Sequence, residues 1–166
     1  MEFAVQVGCP RTLRPEGPAA DMADAISELY PLDTEDLILV WNLVPIRLSY
    51  RYDVSVLMDD LVPLLEEVQG GLRAERAVRW ASDTFAAEWK LVPDRTRLRI
   101  SAQWFSTLGN YEDLLNTRGV VETPVENFVR EMGKIVDRTC SDIEASGIEI
   151  EDEDILHRAQ SLTEKA

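Results

Sequence analysis

Phe85-Ala86-Ala87-Glu88-Trp89-Lys90-Leu91 and Arg97-Leu98-Arg99-Ile100-Ser101-Ala102-Gln103-Trp104 flank the turn-forming Pro93-Asp94-Arg95-Thr96 and decide the fold class. Side chains alternate between the two faces of a strand. Phe85, Ala87, Trp89 and Leu91 therefore share a face, as do Leu98, Ile100, Ala102 and Trp104, while Glu88, Lys90, Arg97, Arg99 and Gln103 face the other way. This is the pattern of an antiparallel hairpin with one buried and one wet face. Trp89 and Trp104 are expected in the core, and Trp80, upstream, is uncommitted.

Working outward, Leu37-Ile38-Leu39-Val40-Trp41 is a continuous apolar run, as in a strand covered on both sides. After a turn region at Asn42–Pro45, residues 46–52 alternate, with Ile46, Leu48, Tyr50 and Tyr52 expected on one face. Asp53 or Ser55 is expected to cap a helix over about 54–69, whose stripe is Val54, Leu57, Met58, Leu61, Val62, Leu65 and Val68. Gly70-Gly71 stops it, and Pro63 removes one of its hydrogen bonds. Thr123-Pro124-Val125-Glu126 reads as a capping box, opening a second main helix over about 124–146 that ends at Gly147. Residues 1–8 suggest a short strand, 9–20 a loop rich in Pro and Gly, and 22–29 a short helix capped by Asp21. The acidic run Glu149-Ile150-Glu151-Asp152-Glu153-Asp154 precedes a weak helix over about 155–162. The expectation is one α+β domain over 1–166: an antiparallel twisted sheet of about 4–6 strands, with the two main helices packed on one face.

Composition narrows the chemistry. Formal net charge is −14. Residues 1–46 carry −6 and residues 100–166 carry −8, whereas 47–99 are balanced, with nine acids and nine bases. Such a field repels phosphate backbones and anionic lipid and attracts cationic partners. Neither a nucleic-acid nor a membrane partner is expected. Arg47, Arg51, Arg97 and Arg99 would form a basic patch only if their strands were neighbours; pairing with Glu88 and other acids is the simpler expectation.

The single histidine, His157, is an expected surface residue, so a Ser–His or Cys–His pair is not in prospect. Cys9 and Cys140 stand far apart and outside any CxxC pair, and Cys140 lies on an apolar stripe. No GxxxxGK[ST] or GxGxxG occurs, and the acidic run lacks the spacing and glycine of a calcium loop. No catalytic residue, cofactor or metal is expected. There is no apolar span long enough for a membrane helix and no basic, apolar leader, so a cytoplasmic location is expected.

Tyr50-Arg51-Tyr52-Asp53 leading into Asp59-Asp60-Leu61, with Trp80-Ala81-Ser82-Asp83-Thr84-Phe85 and Glu88-Trp89, resembles bacterial immunity proteins that neutralise contact-dependent or secretion-delivered toxins. The resemblance spans roughly residues 40–145 and implies binding and blocking of one cognate toxin, with no chemistry of its own. Charge clustering nominates Asp59, Asp60, Glu66, Glu67, Glu149, Glu151, Asp152, Glu153 and Asp154 as the surface for a basic partner. A generic scaffold or regulatory module, and a carboxylate enzyme with a weakly bound cation, are the alternatives. An enzyme would show two carboxylates converging in a cleft.

Overall fold

A computed structural model describes residues 2–164. The class is α+β with antiparallel strands, as expected. The described strands number seven, and they divide between two sheets rather than extending one.

The first sheet joins β1 (Phe3–Gln6), β2 (Leu37–Trp41) and β3 (Val44–Leu48) in that order. Between β1 and β2 lies α1 (Met22–Leu29), where the Asp21 carboxylate accepts from the Asp24 N–H at 2.8 Å, the expected cap. The second sheet is β4 (Arg76–Ser82), β5 (Phe85–Asp94), β6 (Arg97–Thr107) and β7 (Val120–Pro124), again in chain order. A short α3 (Glu112–Thr117) bridges β6 to β7, and neither element is evident from periodicity. The two main helices are α2 (Ser55–Gln69) and α4 (Val125–Ser146), followed by α5 (Asp154–Thr163). None of the described helices is long and apolar enough to cross a membrane.

Buried side chains from both sheets and all five helices form one apolar cluster. Its centre is aromatic. Trp89 packs on Trp41 (centroids 5.0 Å), Trp80 (5.3 Å) and Trp104 (6.1 Å). Trp41 belongs to the first sheet and the other three to the second, so this cluster fastens one sheet to the other. A polar clasp assists: Trp41 Nε1 donates to the Arg118 carbonyl at 2.9 Å, and Asn42 Nδ2 donates to Arg118 O and Val120 O at 2.7 and 2.6 Å.

Two local expectations fail for identifiable reasons. The strand expected over 46–52 ends at Leu48, and Tyr50–Val54 forms a π-helix running into α2. Asp53, fully buried, accepts from the Ser49 N–H at 2.7 Å and curls the chain out of the strand. Tyr50 is thereby buried while Tyr52 is 54% exposed, so the two do not share a face, and Asp53 turns away from capping α2. The capping box at Thr123 does not form. β7 runs straight into α4 without a side-chain cap, and Thr123 Oγ1 accepts from Asn127 Nδ2 at 2.8 Å instead. The other end of α4 follows expectation: Gly147 takes the left-handed conformation (φ 67°) that stops a helix.

α4 also closes the free edge of β1. Asn127 Nδ2 donates to Phe3 O at 3.3 Å, the Val5 N–H donates to Glu131 at 2.9 Å, and Lys134 Nζ donates to Val5 O at 3.2 Å. Burial pushes the Glu131 carboxyl up, but the bonds from Lys134, the Val5 N–H and Arg130 outweigh it and hold the group below the usual glutamate range.

Candidate functional site

The nine nominated carboxylates separate into two groups. Four have partners within the chain. Glu66 is held by Arg158 at 2.6 Å, and the same guanidinium reaches Asp154 at 3.4 Å. Glu67 pairs with Arg76 at 2.8 Å, and Glu153 meets His157 at 3.1 Å. The arginine pairs tie α5 to α2 and α2 to β4.

The remainder cluster by a long-range device. Ala19 and Ile150 form a parallel bridge: the Ala19 N–H donates to Glu149 O at 2.8 Å, and the Glu151 N–H donates back to Ala19 O at 2.9 Å. The Asp152 N–H then donates to Ala20 O at 2.9 Å. This lashes the acidic run to the start of α1, and α1 packs on α2. Asp152 is thus carried to Asp59 and Asp60 on α2, with Asp21 beside them. Glu149 and Glu151 lie exposed on the same lashed segment. Among the described residues, no cation forms an ion pair with Asp21, Asp59, Asp60 or Asp152. Sequence reading recognises Asp21 only as a helix cap, because nothing local announces a bridge between residues 19 and 150.

The electrostatic consequence is visible at Asp59. Desolvation first, then the charges of Asp21, Asp60 and Asp152, raise its carboxyl above the usual aspartate range. A carboxylate whose pKa is raised on folding costs stability while ionised in the native state. That cost fades as pH falls through the raised native value toward the unfolded value of about 3.9. Asp59→Asn is therefore expected to raise the urea midpoint at neutral pH, with the gain shrinking as the pH drops toward 4. A midpoint at or below wild type at neutral pH would show that Asp59 is not under strain from its neighbours.

The arginines do not unite. Arg47 is on the first sheet and pairs with Asp36 at 2.6 Å, while Arg51 falls in the π-helix. Arg97 and Arg99 are on the second sheet, where Arg99 pairs with Glu122 at 2.7 Å. Arg79 stands directly across from Glu88 in the β4–β5 register, without an ion pair between them at bonding distance.

One cleft, of about 390 Å³ beside β1, β7 and the start of α4, is lined by three carboxylates, Glu2, Glu122 and Glu126, together with Arg130, and Glu122 is paired with Arg99 at 2.7 Å. Another, of about 510 Å³, lies between the end of α2, the β5–β6 turn and the start of α4, and Glu126 is its one carboxylate. A groove of about 450 Å³ among α2, α4 and α5 holds Glu126 and Asp137. Burial raises the Asp137 carboxyl. The two are eleven residues apart on one helix, about 16 Å at 1.5 Å per residue, too far to act on one atom. Among the described residues, no three His, Cys, Asp or Glu side chains are placed to hold one metal ion. Cys140 is buried and its thiol is pushed up to about 12, chiefly by burial, which leaves it inert as a nucleophile.

Comparison with protein-family models, with curated proteins and with solved structures finds no match to this chain, so its role rests on its own residues and their geometry.

Proposed function

We propose that this chain is a non-enzymatic protein-binding module, acting as an immunity protein that blocks one cognate bacterial toxin through an acidic face made by Asp21, Asp59, Asp60 and Asp152, with Glu149 and Glu151 beside them. The supporting observation is the convergence of these carboxylates, without a cation of their own, from three separate stretches of chain. Mutual repulsion that folding alone does not relieve is relieved when a cationic surface docks. The complementary field also raises the rate of encounter. Carboxylates held on helix faces and on a lashed loop need little reorganisation, which limits the entropy lost on binding. The cytoplasm is the compartment in which we expect it to act.

The test is capture from a lysate of the native host on immobilised wild-type chain and on an Asp59→Asn/Asp60→Asn/Asp152→Asn variant. The expected result is one basic protein, held by the wild type in stoichiometric amount and lost from the variant. Expressed alone, that protein should arrest growth, and co-expression of this chain should relieve the arrest. Equal capture by both forms, or a partner that is not basic, would overturn the assignment of the face.

A further inference from the structure

The two sheets have four free edges; those of β1 and β7 are bonded, and that of β3 is interrupted by a proline. That of β1 is bonded by Asn127, Glu131 and Lys134. In β3 the two-residue turn Asn42-Leu43 makes Trp41 and Val44 a hydrogen-bonded pair, so Pro45 and Arg47 turn their backbone outward. Pro45, in mid-strand, has no N–H to offer a neighbour. In β7 the outward residues are Val120, Glu122 and Pro124: Asn42 bonds Val120 O, Arg97 bonds Glu122 O, and Pro124 again lacks an N–H. Proteins close edges in these ways because an open edge is a template for another strand.

The edge of β4 is different. The two-residue turn Asp83-Thr84 makes Ser82 and Phe85 a hydrogen-bonded pair, so Ala77, Arg79 and Ala81 direct their N–H and C=O groups away from β5. Arg76 covers the Ala77 carbonyl. Among the described residues nothing bonds the backbone of Arg79 or Ala81. Beside this stretch lies a groove of about 430 Å³ between the edge and the start of α2, lined by Tyr52, Val56, Ala81 and Ser82, with Asp83 and Thr84 at its turn end. Tyr52 and Val56 are 54% and 46% exposed, side chains presented to solvent by the π-helix and by the first turn of α2.

We propose that β4 is a strand-addition site for an extended segment of a partner protein that alternates carboxylate and apolar residues. The open N–H and C=O groups of Arg79 and Ala81 would supply the ladder. Apolar side chains on one face would enter the groove at Tyr52 and Val56, and carboxylates on the other would meet Arg79. A second copy of this chain is a poor occupant, because twofold pairing of β4 with itself would bring both Arg79 side chains into one interface. Val56 lies one helical turn from Asp60, so the site adjoins the acidic face, but it does not rest on the function proposed for that face.

The probe is a library of random twelve-residue peptides displayed on phage and selected against the full chain. Selected peptides are expected to alternate acidic and apolar residues and to slow amide exchange at Arg79 and Ala81. Ala81→Pro removes an outward N–H without touching the β5 ladder and should weaken them at least about tenfold. Arg79→Glu, an exposed change whose cost to the fold is the repulsion from Glu88 across the ladder, should also weaken them at least about tenfold, whereas Ala81→Ser should not. Selection of no alternating sequence, or equal affinity for wild type, Ala81→Pro and Arg79→Glu, would overturn the proposal.

Discussion

Replacing Asp53 by alanine is expected to lower the stability of the fold by roughly 3 kcal/mol, read as a fall in the urea midpoint at constant m-value. Asp53 is fully buried and serves three donors. The Ser49 N–H donates to one carboxylate oxygen at 2.7 Å, while the hydroxyls of Ser82 and Thr84, the latter at 2.6 Å, donate to the other. Those donors sit before the π-helix and in the β4–β5 hairpin, so one carboxylate ties α2's entrance to the second sheet. Alanine fills part of the space and satisfies none of the donors. A buried donor left without an acceptor costs about 1–3 kcal/mol, and water entry at the partly exposed Thr84 tempers the sum. Asp53→Asn keeps an acceptor oxygen but sets an NH₂ among donors, so its loss should be intermediate. The π-helix should loosen in both variants, and with it the presentation of Tyr52. A loss below about 1 kcal/mol for alanine would mean that the three bonds do not hold this junction.

Trp89→Ala is expected to cost about 3–5 kcal/mol, the range for removing a large buried aromatic. Trp89 has no exposed surface and touches Phe3 and Trp41 of the first sheet and Trp80 and Trp104 of its own. A cavity there opens at the joint between the sheets, where neither can collapse without breaking its register. Trp89→Phe is the informative partner. The indole N–H groups of Trp80, Trp89 and Trp104 are buried with no hydrogen-bond acceptor, and ring pairs such as Trp80–Trp89 meet edge to face at 86°. Removing the N–H of Trp89 strands no acceptor, so phenylalanine should recover well over half of the loss through ring packing. Trp41→Phe should recover less of its own alanine loss, because Trp41 donates to the Arg118 carbonyl in the clasp between the sheets. Equal recovery at both positions would remove the distinction.

What was legible in the sequence was what local periodicity encodes. The β5–β6 hairpin, the β2 run and the stripes of α2 and α4 appear where the alternation and the three- and four-residue spacings put them. Tyr50 to Tyr52 read as strand because the apolar residues alternate, but a single buried carboxylate reaching back four residues outweighs that pattern. β7 has only five residues and follows a short helix, too little for a periodic signal, and its proline read more naturally as a helix start. The division into two sheets depends on which edges Asn42, Asn127 and Glu131 close, which is long-range information. The acidic face was half legible. Charge clustering picked out Asp59, Asp60 and Asp152, yet it equally picked out Glu66 and Glu67, which are bound by Arg158 and Arg76. The bridge between Ala19 and Ile150, which carries Asp152 to the strained Asp59, is what sets this group apart from the carboxylates that hold the fold.

That strain fits a trade of stability for binding, since charge optimisation would remove it at no cost to the fold. The central claim is that the converging carboxylates recruit a cationic partner. Its most direct measurement is the association rate constant of the captured partner with the wild-type chain and with the Asp59→Asn/Asp60→Asn/Asp152→Asn variant, at low and at physiological ionic strength. A rate that is faster for the wild type, with the advantage shrinking as salt is added, is the predicted result. Equal rates for the two proteins at low salt would contradict it.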